Sequence, residues 1–359
     1  MIGRPKLRLV VFAILVAPVA ALISLPARAL AATPPLSLTT TPVSIDATIH
    51  PGTAATETLQ LMNNSSQAIP INMELNVFGA YGTSGQAAIT APRLNDPAAS
   101  YVHFSPASFI AQPHVWSVVK ATIKLPKTAT LGYYYAVIFQ PVVATPATIK
   151  PTFVKGSNAI LILVDTQSAN ETRQVEIGSF SVSKKLYEYL PAQFTVSIHN
   201  TGNIFLAPTG DVYISRHSNL TNTIITLPVN KGGGNVLPDS YRVFQETWAD
   251  GFPVFKNKLQ SGQLVTDKKG NPVEQLQWNF ANLNKIRFGK YYAGLTLIYN
   301  NGSRTIPLSA VVSFWVIPWK LLLLALVIVA LFSFGFWSIG RSIFRRARGV
   351  RTKIRRKKT

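Results

Sequence analysis

Nineteen consecutive residues without a charge, "LLLLALVIVALFSFGFWSI" (321–339), are followed after Gly340 by "RSIFRRARGVRTKIRRKKT", where ten of nineteen residues are Lys or Arg and none is acidic. No other feature of the chain limits its fold so strongly. At about 1.5 Å per residue the apolar run is long enough, as a helix, to cross a hydrocarbon core of about 30 Å. Trp315 and Trp319 stand at one end of it and Trp337 at the other, where interfacial aromatics belong, and Lys320 is placed to snorkel to the outer edge. A buried globular helix would account for the apolar run but not for the cations behind it. Arg341, Arg345, Arg346, Arg348, Arg351, Lys353, Arg355, Arg356, Lys357 and Lys358 match the excess of bases that keeps a segment cytoplasmic. The sequence thus predicts a transmembrane helix over 316–340 and a basic cytoplasmic tail over 341–359. The tail would meet anionic lipid, at about 1 kcal/mol per base near the surface.

The formal net charge of +21 would by itself suggest a nucleic-acid partner. Residues 32–319, however, carry 20 bases against 14 acids, so the body is only mildly basic and nucleic acid is not the expected partner. The remaining excess lies at the N-terminus, where Arg4, Lys6 and Arg8 precede "LVVFAILVAPVAALISL" and Ala29-Leu30-Ala31 follows. A charged start, an apolar core and an A-x-A site make a secretory signal peptide, 1–31. A retained anchor is the alternative, against which stand Pro18 within the run and the cleavage site. The expected topology is single-pass in the cell membrane, with the N-terminal domains extracellular.

Between the two apolar segments lie about 285 residues with no Cys, more than one typical domain holds and comfortable for two. Without disulfides each domain must stand on its own core, and an exported chain of this size without Cys fits a bacterium. Short β-branched and aromatic runs such as "ETLQLMN", "WSVVKATIKL" and "AILILVD" alternate with Gly, Pro, Asn and Ser, the pattern of a β-sandwich. The chain also repeats its grammar. "SIHNTGN" stands in the second half where "QLMNNSS" stood in the first, and "NKIRFGKYYAGLTLIY" answers "LPKTATLGYYYAVIF". The fold class expected is therefore all-β, with two tandem immunoglobulin-like β-sandwich domains outside the membrane (32–166 and 167–315) and one C-terminal transmembrane α-helix. The polar stretch "TQSANETRQ" (166–174) is the expected junction. Long insertions at 79–100 and 255–275 interrupt the copies, the second read as an extended hairpin with Lys268–Asn271 near its tip; such loops on a rigid scaffold often bind.

Signals for chemistry are sparse. His50, His103, His114, His199 and His217 are scattered without metal-ligand spacing, and no phosphate-loop, nucleophile-elbow or metalloprotease motif occurs. "KGGGN" (231–235) lacks the following helix that a phosphate loop needs and reads as a turn. No catalytic, metal or cofactor site is expected, and no enzymatic activity.

The order of signal peptide, two β domains, one span and a basic tail resembles the WxL-interacting surface proteins of Gram-positive bacteria. "VFGAYGTSGQAAITAP" and "LPKTATLGYYYAVIFQP" look like stretches of their first domain, and "FTVSIHNTGN" and "GKYYAGLTLIY" are similar to strands of their second. Tyr133, Tyr134 and Tyr135 depart from the small residues that the family tends to place after the late glycine. The resemblance implies a membrane-anchored surface protein that binds a peptidoglycan-like wall polymer, another surface protein, or both. Two other readings remain: an accessory ectodomain of a membrane complex such as an exporter, and a wall-modifying enzyme.

One surface can be named from the repeat. Aligning Gly132 with Gly289 pairs Tyr134 with Tyr291 and Ala136 with Ala293. Because strand side chains alternate faces, Tyr134, Ala136 and Ile138 should then face the core, with Tyr134 and Tyr291 as candidate tyrosine corners. Tyr133, Tyr135, Val137 and Phe139 would form an apolar strip on the other face. That strip is either covered by the 79–100 insertion or is the surface that meets a ligand or partner.

Overall fold

A computed structural model describes residues 37–142 and 158–356, with side chains as far as residue 342. The signal peptide at 1–31 lies outside the described residues. The first half supplies β1 (Leu38–Thr41), β2 (Ser44–Thr48), β3 (Ala54–Asn63), β4 (Ile69–Tyr81), β5 (Gln86–Thr90), β6 (Val102–Ser105), β7 (Ser108–Ala111), β8 (Trp116–Lys124), β9 (Tyr133–Pro141) and β10 (Asn158–Asp165). They form two sheets, ordered β1-β3-β8-β6 and β2-β10-β9-β4-β5, with β7 continuing alongside β4. The second half supplies β11 (Val175–Val182), β12 (Leu186–Tyr187), β13 (Ala192–Asn200), β14 (Thr209–Ser215), β15 (Ile225–Val229), β16 (Ser240–Trp248), β17 (Val254–Asn257), β18 (Leu259–Gln260), β19 (Gln263–Leu264), β20 (Glu274–Gln277), β21 (Gly289–Asn300) and β22 (Thr305–Val316). Its main sheets are β11-β13-β16 and β12-β22-β21-β14-β15. Helix α1 (Trp319–Arg356) follows.

The two halves are copies of one topology. In each, the opening strand divides: β1 and β11 run antiparallel to β3 and β13, while β2 and β12 cross to the facing sheet and run parallel to β10 and β22. Alternation puts Leu59, Leu61, Val119 and Ile123 of one sheet against Ile71, Ile160 and Ile162 of the other, closing the first core. The second core packs Phe194, Val196 and Ile198 against Val212, Leu295 and Leu297. Trp248, Tyr291 and Phe314 meet at its centre, with Trp248 and Tyr291 edge to face at 5.1 Å. The chain is thus two immunoglobulin-like sandwiches and one helix.

The repeated Asn-rich turns have a shared physical cause. Asn63 and Asn200 are both fully buried at the end of a strand. Asn63 Nδ2 donates to Gln67 O (2.7 Å) and Ala111 O (3.0 Å), and its Oδ1 accepts from Ser65 N (3.0 Å). Asn200 Nδ2 donates to Ile204 O (2.8 Å) and Val236 O (2.8 Å), and its Oδ1 accepts from Gly202 N (2.9 Å). One side chain closes each turn and ties it to a further segment through buried carbonyls.

That correspondence also corrects the strand parity. Leu75 lies twelve residues after Asn63 and pairs with Val137, whereas Val212 lies twelve after Asn200 and pairs with Leu295. Val137 therefore matches Leu295, and Tyr133, not Tyr134, matches Tyr291. The glycine alignment is out by one residue, and in a strand one residue exchanges the faces. Tyr135, Val137 and Phe139 are fully buried in the first core, with Tyr133 packed against it. Tyr134 and Ala136 belong instead to a separate cluster with Phe78, Leu163 and two residues of the second domain, Phe205 and Leu237.

The junction is ordered and short. β10 ends at Asp165 and β11 begins at Val175, with 166–174 between them. It is fastened to the second domain through Thr201 N and Gly202 N, which both donate to Gln174 O at 3.0 Å, and through Asn203 N to Thr172 O at 3.0 Å. At the other end β22 runs to Val316, so the helix begins at Trp319, three residues later than the expected 316. The apolar span is Trp319–Ser342, and the helix continues through the basic tail to Arg356.

Candidate functional site

The two sandwiches meet along a cleft of about 470 Å³. One wall is the outer face of the first domain's larger sheet, lined by Ser44 and Asp46 of β2, Leu161 and Leu163 of β10 and Phe78 of β4. The other wall is the turn 232–237 of the second domain together with Tyr241 and Arg242 at the start of β16. The reading of "KGGGN" as a turn holds. Asn230 builds it, since its Nδ2 donates to Gly234 O (2.9 Å) and its Oδ1 accepts from Gly234 N (2.7 Å). What the sequence did not reveal is that this turn becomes the wall of a cleft.

Arg242 is the charged centre. Its Nη1 donates to Asn235 O at 2.6 Å, and its guanidinium lies 5.4 Å from the centre of the Phe244 ring. A Cβ on Gly85 of the first domain or on Gly234 of the second would come within 2.5 Å of it, so the guanidinium lies close against the bare backbone of both domains. Burial pushes its pKa down from the usual arginine value. Asn235 Nδ2 then reaches both carboxylate oxygens of Asp46 at 3.1 Å, so the chain Arg242–Asn235–Asp46 crosses from one domain to the other. The His199 ring stacks on Tyr241 at 4.1 Å beside the cleft.

The insertion at 79–100 resolves into parts. Its first half is a hairpin, the end of β4 turning at Gly82–Gly85 into β5. The tip docks on the free edge of β16, where Val243 N donates to Thr83 O at 2.8 Å. Its second half ends in a short helical turn, Pro97–Tyr101, laid over the first core: Tyr135 OH donates to Ala98 O (3.0 Å), and Tyr101 meets Tyr133 edge to face at 5.6 Å. The 255–275 insertion is an exposed hairpin away from the cleft, with turns at Ser261–Gly262 and Asp267–Asn271.

Behind the cleft, the junction holds an acidic pair on one arginine. Arg173 pairs with Asp165 and, at 3.1 Å, with Glu171. Burial would raise the Asp165 carboxyl, but hydrogen bonds from Glu171 and Arg173 outweigh it and hold the group below the usual carboxylate range. Glu171 is pushed up by burial and by Asp165 beside it. The geometry fits a domain lock.

The sites expected from sequence fall as follows. Tyr133, Tyr135, Val137 and Phe139 are core rather than surface, for the reason of parity given above. The candidate tyrosine corner holds at Tyr291, whose hydroxyl accepts from Phe288 N at 3.2 Å, three residues upstream. Tyr134 instead meets Phe205 across the domain boundary, edge to face at 6.2 Å. Trp315, Trp319 and Trp337 are all about half exposed. Trp337 lies eighteen positions after Trp319 along the helix, about 27 Å of rise, close to the thickness of a hydrocarbon core. Lys320 Nζ bonds Glu188 Oε2 at 2.9 Å, holding the head of the helix against the second domain. Arg341 lies over the Trp337 ring at 5.2 Å. Arg345, Arg346, Arg348, Arg351, Lys353, Arg355 and Arg356 fall on the last turns of α1, while Lys357 and Lys358 lie outside the described residues. Among the described residues no group of three or more His, Asp or Glu could hold a metal ion.

No protein-family profile matches the chain, and no curated protein matches it. Solved structures similar to it include bacterial chaperones. A class 5 fimbriae chaperone, CfaA, is 16% identical over 77% of this chain and 98% of its own, with a TM-score of 0.36. The E. coli chaperone DraB is 10% identical over 77% and 98%, with a TM-score of 0.32. The Pseudomonas aeruginosa chaperone CupB2 is 10% identical over 76% and 98%, with a TM-score of 0.31. At such scores the likeness carries no weight for function, and the sandwich assignment rests on the strand pairings themselves.

Proposed function

We propose that this is a membrane-anchored protein of a bacterial cell surface whose paired sandwiches bind a wall polymer or another surface protein in the cleft between them, without catalysis of its own. The cleft around Arg242 carries the reading. A partly desolvated cation held between backbone walls suits a carboxylate on an extended chain, whether a peptide cross-bridge or a protein segment, because it attracts charge while leaving main-chain groups accessible. The α1 helix fits an anchor, and the bases of its last turns fit a cytoplasmic end.

The test is retention of the full chain on insoluble peptidoglycan, together with crosslinking and partner identification on intact cells. Arg242→Gln should reduce retention or crosslinking several-fold while the protein melts within a few degrees of the parent. Asp46→Asn, at an exposed position, is the milder control. Unchanged attachment in both variants would move the ligand away from the cleft. Release of soluble sugar fragments by the parent would instead establish an enzyme.

A further inference from the structure

Among the described residues of the two sandwiches, the eleven residues "WNFANLNKIRF" (278–288), between β20 and β21, hold the densest run of exposed large apolar side chains. Trp278, Phe280, Leu283, Ile286 and Phe288 are between 44% and 68% exposed. The segment is nevertheless fixed in place. Phe252 N donates to Lys285 O at 3.0 Å, Lys285 Nζ and Arg287 Nη2 reach the Asp250 carboxylate at 2.6 and 2.8 Å, and Trp278 and Phe280 pack on Phe252 at 5.8 and 5.5 Å. A held, outward-facing apolar cluster needs something to cover it.

Its position names the occupant. Gly289, next after the segment, pairs with Val316, and α1 begins three residues beyond Val316. The two intervening residues are not a free linker: Ile317 N donates to Tyr187 O at 2.8 Å and Leu322 N to Pro318 O at 3.0 Å. The cluster therefore lies at the pole of the second domain from which the helix leaves. Basic residues surround that pole, with Lys184 and Lys185 leading into Leu186, which pairs with Trp315, and Lys290 opposite Trp315 in β21. Aromatic and branched apolar groups flanked by lysines are what the headgroup layer of an anionic bilayer accepts.

We propose that Trp278–Phe288 is a second membrane contact, seated in the headgroup region of the outer leaflet beside α1, so that the second domain rests on the bilayer rather than standing above it. The proposal depends on α1 spanning the membrane, and the test separates the two. The chain has no Cys, so single cysteines can be labelled with a nitroxide in the full chain reconstituted into phosphatidylglycerol–phosphatidylethanolamine vesicles. Three positions are compared: Leu283→Cys in the segment, Leu326→Cys in the helix, and Ser303→Cys in the turn at the opposite pole. Collisions with oxygen, which partitions into lipid, and with a water-soluble nickel chelate report depth. The expected result is an oxygen-to-nickel ratio at Leu283 several-fold above that at Ser303, approaching that at Leu326, and smaller in vesicles of phosphatidylcholine alone. A Leu283 label as nickel-accessible as the Ser303 label, with Leu326 in lipid, overturns the contact and leaves the span intact. Shielding of Leu283 from both reagents overturns it in favour of a protein cover, and nickel access at Leu326 removes the span and the contact together.

Discussion

Asn63 and Asn200 show how a single side chain decides a turn. Asn63 makes four hydrogen bonds and Asn200 three inside a wall of apolar residues, so Asn63→Ala or Asn200→Ala strips a donor from each of two carbonyls and frees the turn from the segment it is tied to. A loss of about 2–3 kcal/mol is expected in either variant by denaturant unfolding, and Asp at either position should recover little, since it accepts but does not donate. Both were legible in the sequence as repeated turns. The tyrosines were not, and the reason is local. Gly289 is glycine because its φ is +108°, whereas Gly132 is glycine because a Cβ there would press within 2.8 Å of Ile204 Cδ1. Two glycines demanded by different constraints mark no common register, and aligning them turned the strand over. With the faces now assigned, Tyr135→Ala should cost about 3–5 kcal/mol as a core cavity. Unfolding within 1 kcal/mol of the parent would return that side chain to the surface.

At the scale of elements, the β4–β5 hairpin is a latch, a role that long insertions do not announce because its partner, the edge of β16, lies some 160 residues away in sequence. Val243→Pro, which removes the donating N–H on an edge strand, should break the bond to Thr83 O and widen the distribution of distances between dyes on the two domains, read by single-molecule energy transfer. An unchanged distribution would leave the junction and the Tyr134–Phe205 and Asp46–Asn235 contacts as sufficient to hold the domains. Another contact should answer to pH. Hydrogen bonds from Lys285 and Arg287, with their charges, hold the Asp250 carboxyl below its ordinary range. A carboxyl depressed in the folded state contributes stability that is complete above its unfolded value near pH 4 and is lost as pH falls through the folded value. Melting of the parent should therefore fall more steeply below pH 4 than melting of Asp250→Asn, in which that contribution is already absent. Parallel curves would show the pair to be energetically silent. The Trp278–Phe288 cluster that these bonds pin was invisible to pattern reading, since its apolar residues follow neither a period of two nor one of 3.6.

For the whole molecule, the sequence showed what periodicity and charge can show: β-sandwich architecture and an apolar helix behind it. Alternation and turn residues are local, so they survive translation into sheets; the cleft is made by residues such as Asp46, Gly85 and Arg242 that only the packing of one domain on the other brings together. The order of the strands has a mechanical consequence. The second domain receives the chain at the start of β11, at the pole away from α1, and releases it from the end of β22 at the opposite pole. A ligand fixed in the wall and pulling on the cleft would load this domain along its strands, with tension leaving through β22, which is bonded to β21 over twelve residue pairs. Rupture then requires that ladder to slide as a whole rather than unzip pair by pair, so the geometry suits a tether that holds under load.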